Sequence, residues 1–523
     1  MGGLIMGVII KKIILTNYKR FEQFTLEPND RKNILVGDNE VGKSSIIEAI
    51  DLVALGSVRR VESIGLDRLI NINAIKNFQK TGKYEDLPEM KIELFLDGNF
   101  DHTMNGKNNS LGIIADGIRL VCAPNDDYIT EINDYISSEN EAFPYEYYKI
   151  RFSTFADEPY SSYKKKLKTV LINNTKMSSA HATNDFVERM YNQYTEDFHL
   201  ERIEHSSQYR KMKLKFCEQH LASLNARIPA DKDYLFGLEN NFSNVFSQDL
   251  MIYERNIAIN NKGTGRQVLI KTDFALDRAG ENVDVILIEE PENHLSHSNL
   301  KKLISNISNN QDGQLFITTH NSLISTGLDL NNLIVLSLNN MSKPLYLKDL
   351  SGETANYFLK APPASILEFV LSSKIILVEG PSEYILFDEF YRQVTKRTLE
   401  EDGVHVLAIR GLSFKRYLEI AEITKSKVAI VTDNDGNYQI KCVNKYQSYE
   451  SDNIKVFFEK DDNRPTFEYY LFEMNETICN EKFGDQALDY MLNNKTESAL
   501  ELSYEEQLQT PDYIKEAIEW INE

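Results

Sequence analysis

The stretch NILVGDNEVGKSSIIEAI, residues 33–50, decides the fold of the N-terminal half. A short apolar run leads into a glycine-containing turn, and a helical pattern follows the turn. The turn GDNEVGKS matches GxxxxGK[ST], in which backbone N–H groups face phosphate, the lysine reaches the terminal phosphates and the hydroxyl holds Mg²⁺. A chance match is the alternative, but the position between strand and helix favours an ATP and Mg²⁺ site. Its predicted residues are Gly37, Asn39, Gly42, Lys43, Ser44 and Ser45.

A second acidic strand end lies in VDVILIEEPENHL, residues 283–295. Its apolar run ends at Glu289 and Glu290, and in P-loop folds such a strand end lies beside the phosphate loop. One carboxylate can hold the Mg²⁺ shell while the next polarises water for attack on the γ-phosphate. An ordinary buried strand with an acidic tip is the alternative for this motif alone, and the P-loop in the same chain favours the catalytic interpretation.

The C-terminal part carries two further acidic strand ends, ILVEG at 376–380 and VTDNDG at 431–436. Glu379 ends the first strand pattern, and Asp433 and Asp435 follow the second. A carboxylate at the end of a buried strand is costly unless a cation meets it. Oxygen ligands alone suit Mg²⁺ or Mn²⁺ and not zinc, so the joint pattern predicts a divalent-metal site. Taken singly, each motif is common, and DxDG is also typical of an Asx turn.

Composition limits the classes of protein that fit. With 523 residues, two or three domains are expected. The net charge of −21 disfavours non-specific attraction to nucleic acid, although basic clusters at 163–168 and 209–216 offer either local phosphate contacts or solvated helix faces. The four cysteines form no CxxC pair, and the apolar start is interrupted by Lys11 and Lys12. We therefore expect a reducing, cytoplasmic location without a signal peptide or membrane span.

The patterns predict an α/β protein with an interrupted first unit. Strand patterns near the start resemble a hairpin or meander, and strand patterns return near 283–318 after a charged stretch of helical periodicity. A second alternation of strands and helices begins near residue 374. The predicted limits are 1–157 and 251–365 for the two parts of an ATPase, 158–250 for a helical insertion used for packing or dimerisation, and 371–523 for a second α/β domain.

EEPENHL together with FITTHNS resembles ABC-type ATPases of the SMC and DNA-repair branch. The resemblance implies that Glu290 is the catalytic glutamate and that His320 senses the γ-phosphate. NKGTGRQVLI stands where the ABC signature is expected, so the resemblance places Thr264 and Gly265 on ATP bound to a second subunit and implies a dimer. Glu289 stands where these ATPases usually have aspartate, and no Q-loop glutamine is evident, so ATP binding is a firmer expectation than rapid hydrolysis.

ILVEG and VTDNDG, in this order within one α/β unit, resemble the TOPRIM domain of topoisomerases, primases and related nucleases. An ABC ATPase followed by a Rossmann-like TOPRIM domain resembles the OLD (overcoming lysogenisation defect) nucleases, which include Gabija-type and retron-associated antiphage endonucleases. The resemblance implies two metal ions about 4 Å apart that hydrolyse a DNA phosphodiester. The implied site residues are Glu379 as metal ligand or general base, Asp433 and Asp435 as metal ligands, Glu383 and Glu468 for the second metal, and Lys495 to neutralise the pentacoordinate phosphate.

The leading prediction is therefore an ATP-binding, metal-dependent DNA endonuclease of phage defence, whose ATPase half gates cleavage. One alternative is an ATP-dependent sensor or scaffold with a partner-controlled TOPRIM, and another is a toxin that cleaves RNA such as tRNA. The expected partners are DNA, a homodimer or tetramer, and a defence-system protein or retron RNA–DNA element. The activating trigger and the cleavage sequence do not follow from the residues.

Overall fold

The structure is a computed structural model that describes most of the chain. The described residues are 7–137, 142–162, 165–173, 187, 190–191, 194–195, 198–229, 235–238, 246, 249–277, 283–293, 295–309, 313–337, 343–360, 365–409, 414–505 and 507–523. Much of the predicted insertion at 158–250, part of the basic cluster at 163–168 and one residue of EEPENHL lie outside them.

The N-terminal part alternates antiparallel strands with an α/β region. Its strands are β1 Ile9–Tyr18, β2 Phe21–Leu26, β3 Lys32–Val36, β4 Met90–Asp97, β5 Asn105–Gly106, β6 Ala115–Pro124, β7 Tyr148–Thr154, β8 Thr169–Asn173, β9 Tyr253–Glu254, β10 Ile257–Ala258, β11 Val285–Glu289, β12 Gln314–Thr318, β13 Leu333–Val335 and β14 Leu345–Tyr346. Its helices are α1 Lys43–Leu55, α2 Val58–Ile64, α3 Leu66–Leu69, α4 Ile72–Thr81, α5 Ile129–Ser137, α6 Phe198–Phe216, α7 Ala222–Asn225, α8 Thr264–Asp277, α9 His297–Asn309, α10 Ser322–Gly327, α11 Gly352–Lys360 and α12 Ile366–Leu371.

The first sheet is antiparallel and has the order β2-β1-β4-β6-β5, with β7 also paired to β6. The hairpin predicted at the start of the chain is confirmed, because Tyr18 pairs with Phe21 across a tight turn. One sheet face lies against α1, whose own residues Ile46, Ile50 and Val53 are buried in the shared core. The antiparallel sheet thus supports the helix that begins at the phosphate loop.

The second sheet has the order β14-β13-β3-β12-β11-β8, and only β14 runs antiparallel to its neighbour. Strands covered on both faces carry runs of apolar residues, and every residue of β11 and β12 is buried. The helical prediction is wrong at Thr169–Asn173, where TVLIN pairs with β11 as a parallel edge strand. Its β-branched and apolar residues favour a strand once a parallel neighbour is present. Further along, α6 and α7 agree with the predicted helices.

The C-terminal part is a four-stranded parallel sheet in the order β16-β15-β17-β18. Its strands are β15 Lys374–Val378, β16 Val404–Ala408, β17 Lys427–Val431 and β18 Ile454–Phe457. Its helices are α13 Pro381–Thr395, α14 Leu399–Asp402, α15 Phe414–Thr424, α16 Phe467–Met474, α17 Glu476–Phe483, α18 Ala487–Asn493, α19 Lys495–Leu502 and α20 Asp512–Asn522. Alternate residues of β15 enter different cores, since Ile375 packs on one face and Ile376 on the other. The predicted α/β class with a Rossmann-like second unit is confirmed.

The two parts share one hydrophobic core. The ring of Tyr417 on α15 lies edge-on to Phe358 of α11 and Phe369 of α12, at centroid distances of 5.1 and 5.0 Å. Nearby, the Glu419 carboxylate accepts hydrogen bonds from the first turn of α11. The segment between the parts is therefore packed against both. Among the described residues, no helix has the length and apolarity needed to span a bilayer.

Candidate functional site

The loop between β3 and α1 has the conformation that its glycines permit. Gly42 has a φ of 100°, and a Cβ there would lie 2.4 Å from Cζ of Phe21. A Cβ at Gly37 would lie 2.4 Å from the carbonyl oxygen of Leu336. Any larger residue would clash at both positions, so the sequence requirement for glycine is steric as well as conformational. The loop delivers the first N–H groups of α1 to one open cavity.

Lys43 is the first residue of α1, and its side chain is buried. Its ammonium donates hydrogen bonds to the carbonyl oxygens of Gly37 and Asp38, at 2.7 and 2.8 Å. Burial lowers the pKa of Lys43 to about 8, and the charges of Glu290, Asp38 and Glu292 oppose that shift. The ammonium is therefore held by its own loop, within reach of the acidic strand end.

The cavity at this loop has a volume of about 460 Å³ and is lined from three directions. Of the residues predicted for nucleotide binding, Asn39, Gly42, Lys43, Ser44 and Ser45 line it, together with Glu290 and His320. Lys19 and Arg20 also line it, and the sequence did not reveal them. They occupy the β1–β2 turn, and a basic pair in a hairpin turn gives no signal that this turn lies over the phosphate loop.

Glu289 and Glu290 lie at the end of β11, as predicted, but in different environments. Glu289 is the last strand residue and is buried. Glu290 has a positive φ of 43°, and its Oε1 lies 3.5 Å from Nε2 of His320 at the end of β12. The structure thus brings the predicted catalytic glutamate and switch histidine together at the cavity.

Thr264 and Gly265 begin α8 and do not line this cavity. Their predicted contact is with ATP on a second subunit, so their role stays a prediction. The start of α8 and the residues just before it are held by ion pairs to Glu254, with Lys262 lying 2.6 Å from that carboxylate and Arg266 also paired to it.

The second site lies at the carboxyl edge of the parallel sheet, where ligands gather in α/β folds. Oε1 of Glu379 accepts a hydrogen bond from the hydroxyl of Thr432 and another from the backbone N–H of Asp433, at 3.3 Å. Oδ1 of Asp433 accepts from the N–H of Phe467 at the start of α16, at 2.9 Å. The ends of β15, β17 and the start of α16 therefore converge.

Two further acids complete this cluster. Glu383 lies in the first turn of α13 and Glu468 in the first turn of α16, and both side chains are buried. Burial raises the pKa of Glu383 to about 7, with further increases from Glu468 and Glu379. Burial also raises the pKa of Asp433, and the charges of Glu383, Glu379 and Glu468 add to the shift. The cluster concentrates negative charge in a poorly solvated place.

Lys495 supplies the positive charge beside this cluster. Its ammonium lies 2.8 Å from Oε2 of Glu468, while about half of the lysine side chain is exposed. Burial alone lowers the pKa of Lys495, but the carboxylates of Glu468, Asp433 and Glu383 outweigh it, so the pKa is raised. Lys495 opens α19, and its proximity to the acids was predicted only through the family resemblance.

Asp435 has a different orientation from the other acids. It lies exposed in the turn after β17 with a φ of 48°, and its carboxylate is 3.8 Å from the ammonium of Lys441. Its backbone N–H donates to the carbonyl of Pro465. The neighbouring Asn434 fixes the turn by donating to three carbonyls of the 459–464 loop. The metal-ligand role of Asp435 stays a prediction.

The donor set at the sheet edge fits a divalent cation. With the side chains in their present positions, no three His, Cys, Asp or Glu residues in the described part of the chain are close enough to hold a metal ion. Nevertheless, the converging groups are all carboxylate oxygens, which Mg²⁺ and Mn²⁺ prefer. The Tyr446 hydroxyl is also buried beside Glu379 without a hydrogen bond of standard geometry. Sequence reasoning missed both Thr432 and Tyr446, because a Thr after a strand and one Tyr of 27 carry no distinguishing signal.

The fold and these two sites define an ATPase joined to a TOPRIM domain. The chain belongs to the AAA ATPase domain family, whose model matches residues 9–324, more than half of the chain. Residues 370–435 match the TOPRIM domain of overcoming-lysogenization-defect-like proteins. The combination is that of the OLD family, so the predicted family is confirmed.

Individual relatives match parts of the chain. The DNA replication and repair protein RecF of Ruminiclostridium cellulolyticum is 32% identical over 106 residues, which are 16% of this chain and 28% of RecF. The chain thus spans less than a third of the length of that relative. The C-terminal region of the Xanthomonas campestris pv. campestris OLD protein is 20% identical over 29% of this chain and 92% of its own, with a TM-score of 0.23. An SmcHead bound to the C-winged helix domain of ScpA is 15% identical over 65% of this chain and 99% of its own, with a TM-score of 0.34.

Proposed function

We propose that this ATPase and TOPRIM protein is an ATP-binding, divalent-metal-dependent DNA endonuclease of antiphage defence, in which the ATPase domain gates cleavage. The observation that carries the proposal is the convergence of Glu379, Glu383, Asp433 and Glu468 at one edge of the parallel sheet. These acids are separated by up to 89 positions in sequence, from residue 379 to residue 468. Buried acids with strongly raised pKa values beside a lysine are typical of functional sites.

Within the cluster, the chain's own groups orient the ligands. Thr432 and the Asp433 N–H hold Oε1 of Glu379, and the N–H of Phe467 holds Oδ1 of Asp433. When bound, two divalent cations supply an activated water and stabilise the leaving 3′ oxygen. Glu379, Glu383, Asp433 and Glu468 would hold them, and Asp435 is a further proposed ligand. The Lys495 ammonium lies where it can share its charge between Glu468 and an approaching phosphate.

In the ATPase domain, the proposed roles belong to residues that line the cavity, except for that of Glu289, which lies buried at the end of β11. Lys43 binds the terminal phosphates of ATP, Ser44 holds Mg²⁺ with Glu289, and Glu290 with His320 orients the attacking water. Gating is supported by the shared core between the two parts, since α10 after His320 packs against α11 and α12, which contact α15 of the TOPRIM domain. We further propose a homodimer or tetramer in the cytoplasm, with Thr264 and Gly265 facing the nucleotide of a partner.

One observation favours a second candidate, an ATP-dependent sensor or scaffold with a partner-controlled TOPRIM. Glu289 is buried and is one methylene longer than the aspartate usual at this position. Mg²⁺ geometry is demanding, so slow turnover is compatible with this residue. Strong cutting of DNA by the pure protein alone would exclude the scaffold-only function.

The test is a cleavage assay with plasmid DNA and end-labelled tRNA side by side, in Mg²⁺ or Mn²⁺, with and without ATP. We expect wild type to cut plasmid, and both Glu379→Ala and Asp433→Ala to lose at least about 100-fold of the rate. Asp452→Ala is the matched control, because Asp452 is an exposed acid that precedes β18 at the opposite edge of the same sheet. The control should cut like wild type, and Lys43→Ala should lose the response to ATP.

If the Glu379→Ala, Asp433→Ala double variant still cuts plasmid, the acidic cluster is not a nuclease site. Cleavage of tRNA in preference to plasmid would redirect it to RNA. Co-purification of a protein or an RNA–DNA element that is required for cutting would support the partner-controlled alternative.

A further inference from the structure

The turn after β11 and the loop after β12 are fastened to each other by hydrogen bonds. The N–H of Glu290 donates to the carbonyl oxygen of Thr318 at 3.0 Å and lies 3.2 Å from its hydroxyl. Nδ2 of Asn293 donates to Oε2 of Glu290 at 2.7 Å. With Oε2 held in this way, Oε1 of Glu290 is the atom that faces His320.

Glu292 makes the contact that reaches His320 itself. Its Oε1 accepts hydrogen bonds from the backbone N–H of His320, at 2.7 Å, and from the hydroxyl of Thr319, at 2.8 Å. The same Thr319 hydroxyl accepts from the N–H of Asn321 at 2.9 Å. One carboxylate oxygen therefore fixes the backbone on which the switch histidine stands.

The other carboxylate oxygen of Glu292 shows that this acid is not simply solvated. Its Oε2 is buried and has no hydrogen-bond partner among the described residues. Glu292 does not line the nucleotide cavity, although its negative charge acts on Lys43. Glu292 can thus influence ATP chemistry through His320 and through its charge, but not by touching the nucleotide.

We propose that Glu292 is a positioning residue for ATP hydrolysis, an inference that rests on the proposed roles of Glu290 and His320. Those two side chains come from different strands, and both must face the same phosphate. Displacement of either by about 1 Å is enough to cost on the order of 100-fold in rate. Because Glu292 binds the backbone of His320 and lies in the turn that carries Glu290, it fixes the position of the two side chains relative to each other.

Two substitutions separate the hydrogen bonds from the charge. Glu292→Ala removes the acceptor, whereas Glu292→Gln retains a carbonyl oxygen that can accept both bonds now made to Oε1. We expect Glu292→Ala to lower kcat for ATP hydrolysis by about 10- to 100-fold, with KM and nucleotide Kd changed by less than about 3-fold. Glu292→Gln should stay within about 3-fold of wild type. Glu401→Ala is the control, since Glu401 also accepts a backbone N–H bond, from Thr398 at 3.0 Å, far from this cavity in sequence and domain.

Thr319→Val is a second, less disruptive variant should Glu292→Ala fail to fold. It replaces the hydroxyl of a fully buried side chain with a methyl group, and we expect a kcat loss of about 3- to 10-fold. Wild-type kcat in Glu292→Ala, or in Thr319→Val where the former unfolds, would overturn the inference. Equal losses in the Gln and Ala variants would also overturn it, because the charge would then matter and not the bonds. No turnover by wild type above Lys43→Ala would instead refute the proposed hydrolysis.

Discussion

Removing the hydroxyl of Thr432 should weaken divalent-metal binding at the TOPRIM site. The hydroxyl donates to Oε1 of Glu379, and Thr432 is buried, so water cannot replace the donor. A hydrogen bond to a charged group contributes about 1.5–3 kcal/mol. The bond is already present without metal, so only part of this energy enters the binding constant. Partners that orient a metal ligand in this way typically contribute about 10- to 100-fold in metal affinity. The Asp433 N–H stays on the same oxygen, which places the expected effect of Thr432→Val near the lower limit.

The assay is a Mn²⁺ titration of the purified protein, followed by calorimetry or by the electron paramagnetic resonance signal of free Mn²⁺. Thr432→Val should raise the Kd about tenfold, in the range typical for residues that orient metal ligands, while plasmid cutting recovers at saturating Mn²⁺. Thr432→Ser keeps the donor and should bind like wild type. An unchanged Kd in Thr432→Val would show that metal binding by Glu379 does not depend on this donor.

Two further predictions concern the framework around the sites. Gln314 is fully buried, and its amide makes three hydrogen bonds to backbone groups of Ile10 in β1 and of Asn29 in the loop after β2. Gln314→Leu should therefore lower the free energy of unfolding by about 3–5 kcal/mol in urea titrations. A loss below about 1 kcal/mol would contradict this expectation. At the domain contact, burial raises the pKa of Glu419, but hydrogen bonds from Thr354 and Ser351 outweigh this effect and hold the pKa below its usual value. The carboxylate therefore stabilises the contact at neutral pH, and this stabilisation is lost as the pH falls through the lowered pKa. Glu419→Leu should reduce the effect of ATP on plasmid cutting without altering ATP Kd, and an unchanged ATP effect would exclude this contact from gating.

The sequence alone predicted site residues correctly where a recognisable motif directly follows the pattern of a strand. The phosphate loop, the acidic end of β11 and the strand ends at Glu379 and Asp433 follow from apolar runs that end in specific polar residues. Such runs are local, and the carboxyl ends of parallel strands meet at one sheet edge whatever the connecting segments are.

Features that depend on distant partners could not be predicted. The β8 strand forms because β11 offers a free edge, and that neighbour lies more than 100 residues away in sequence. The entry of Lys19 and Arg20 into the nucleotide cavity depends on the packing of the antiparallel sheet over α1. The direction of Asp435 depends on the positive φ of its turn and on Lys441, neither of which the DxDG pattern specifies.

Manganese anomalous scattering from a soaked crystal would show directly whether divalent cations bind at the TOPRIM site. We expect anomalous peaks at the carboxyl edge of the parallel sheet, coordinated by oxygens of Glu379 and Asp433 with Glu383 or Glu468 nearby. Absence of any peak there at saturating Mn²⁺, with the phosphate-loop cavity occupied by Mn²⁺ and nucleotide in the same crystal, would exclude a metal site at this edge.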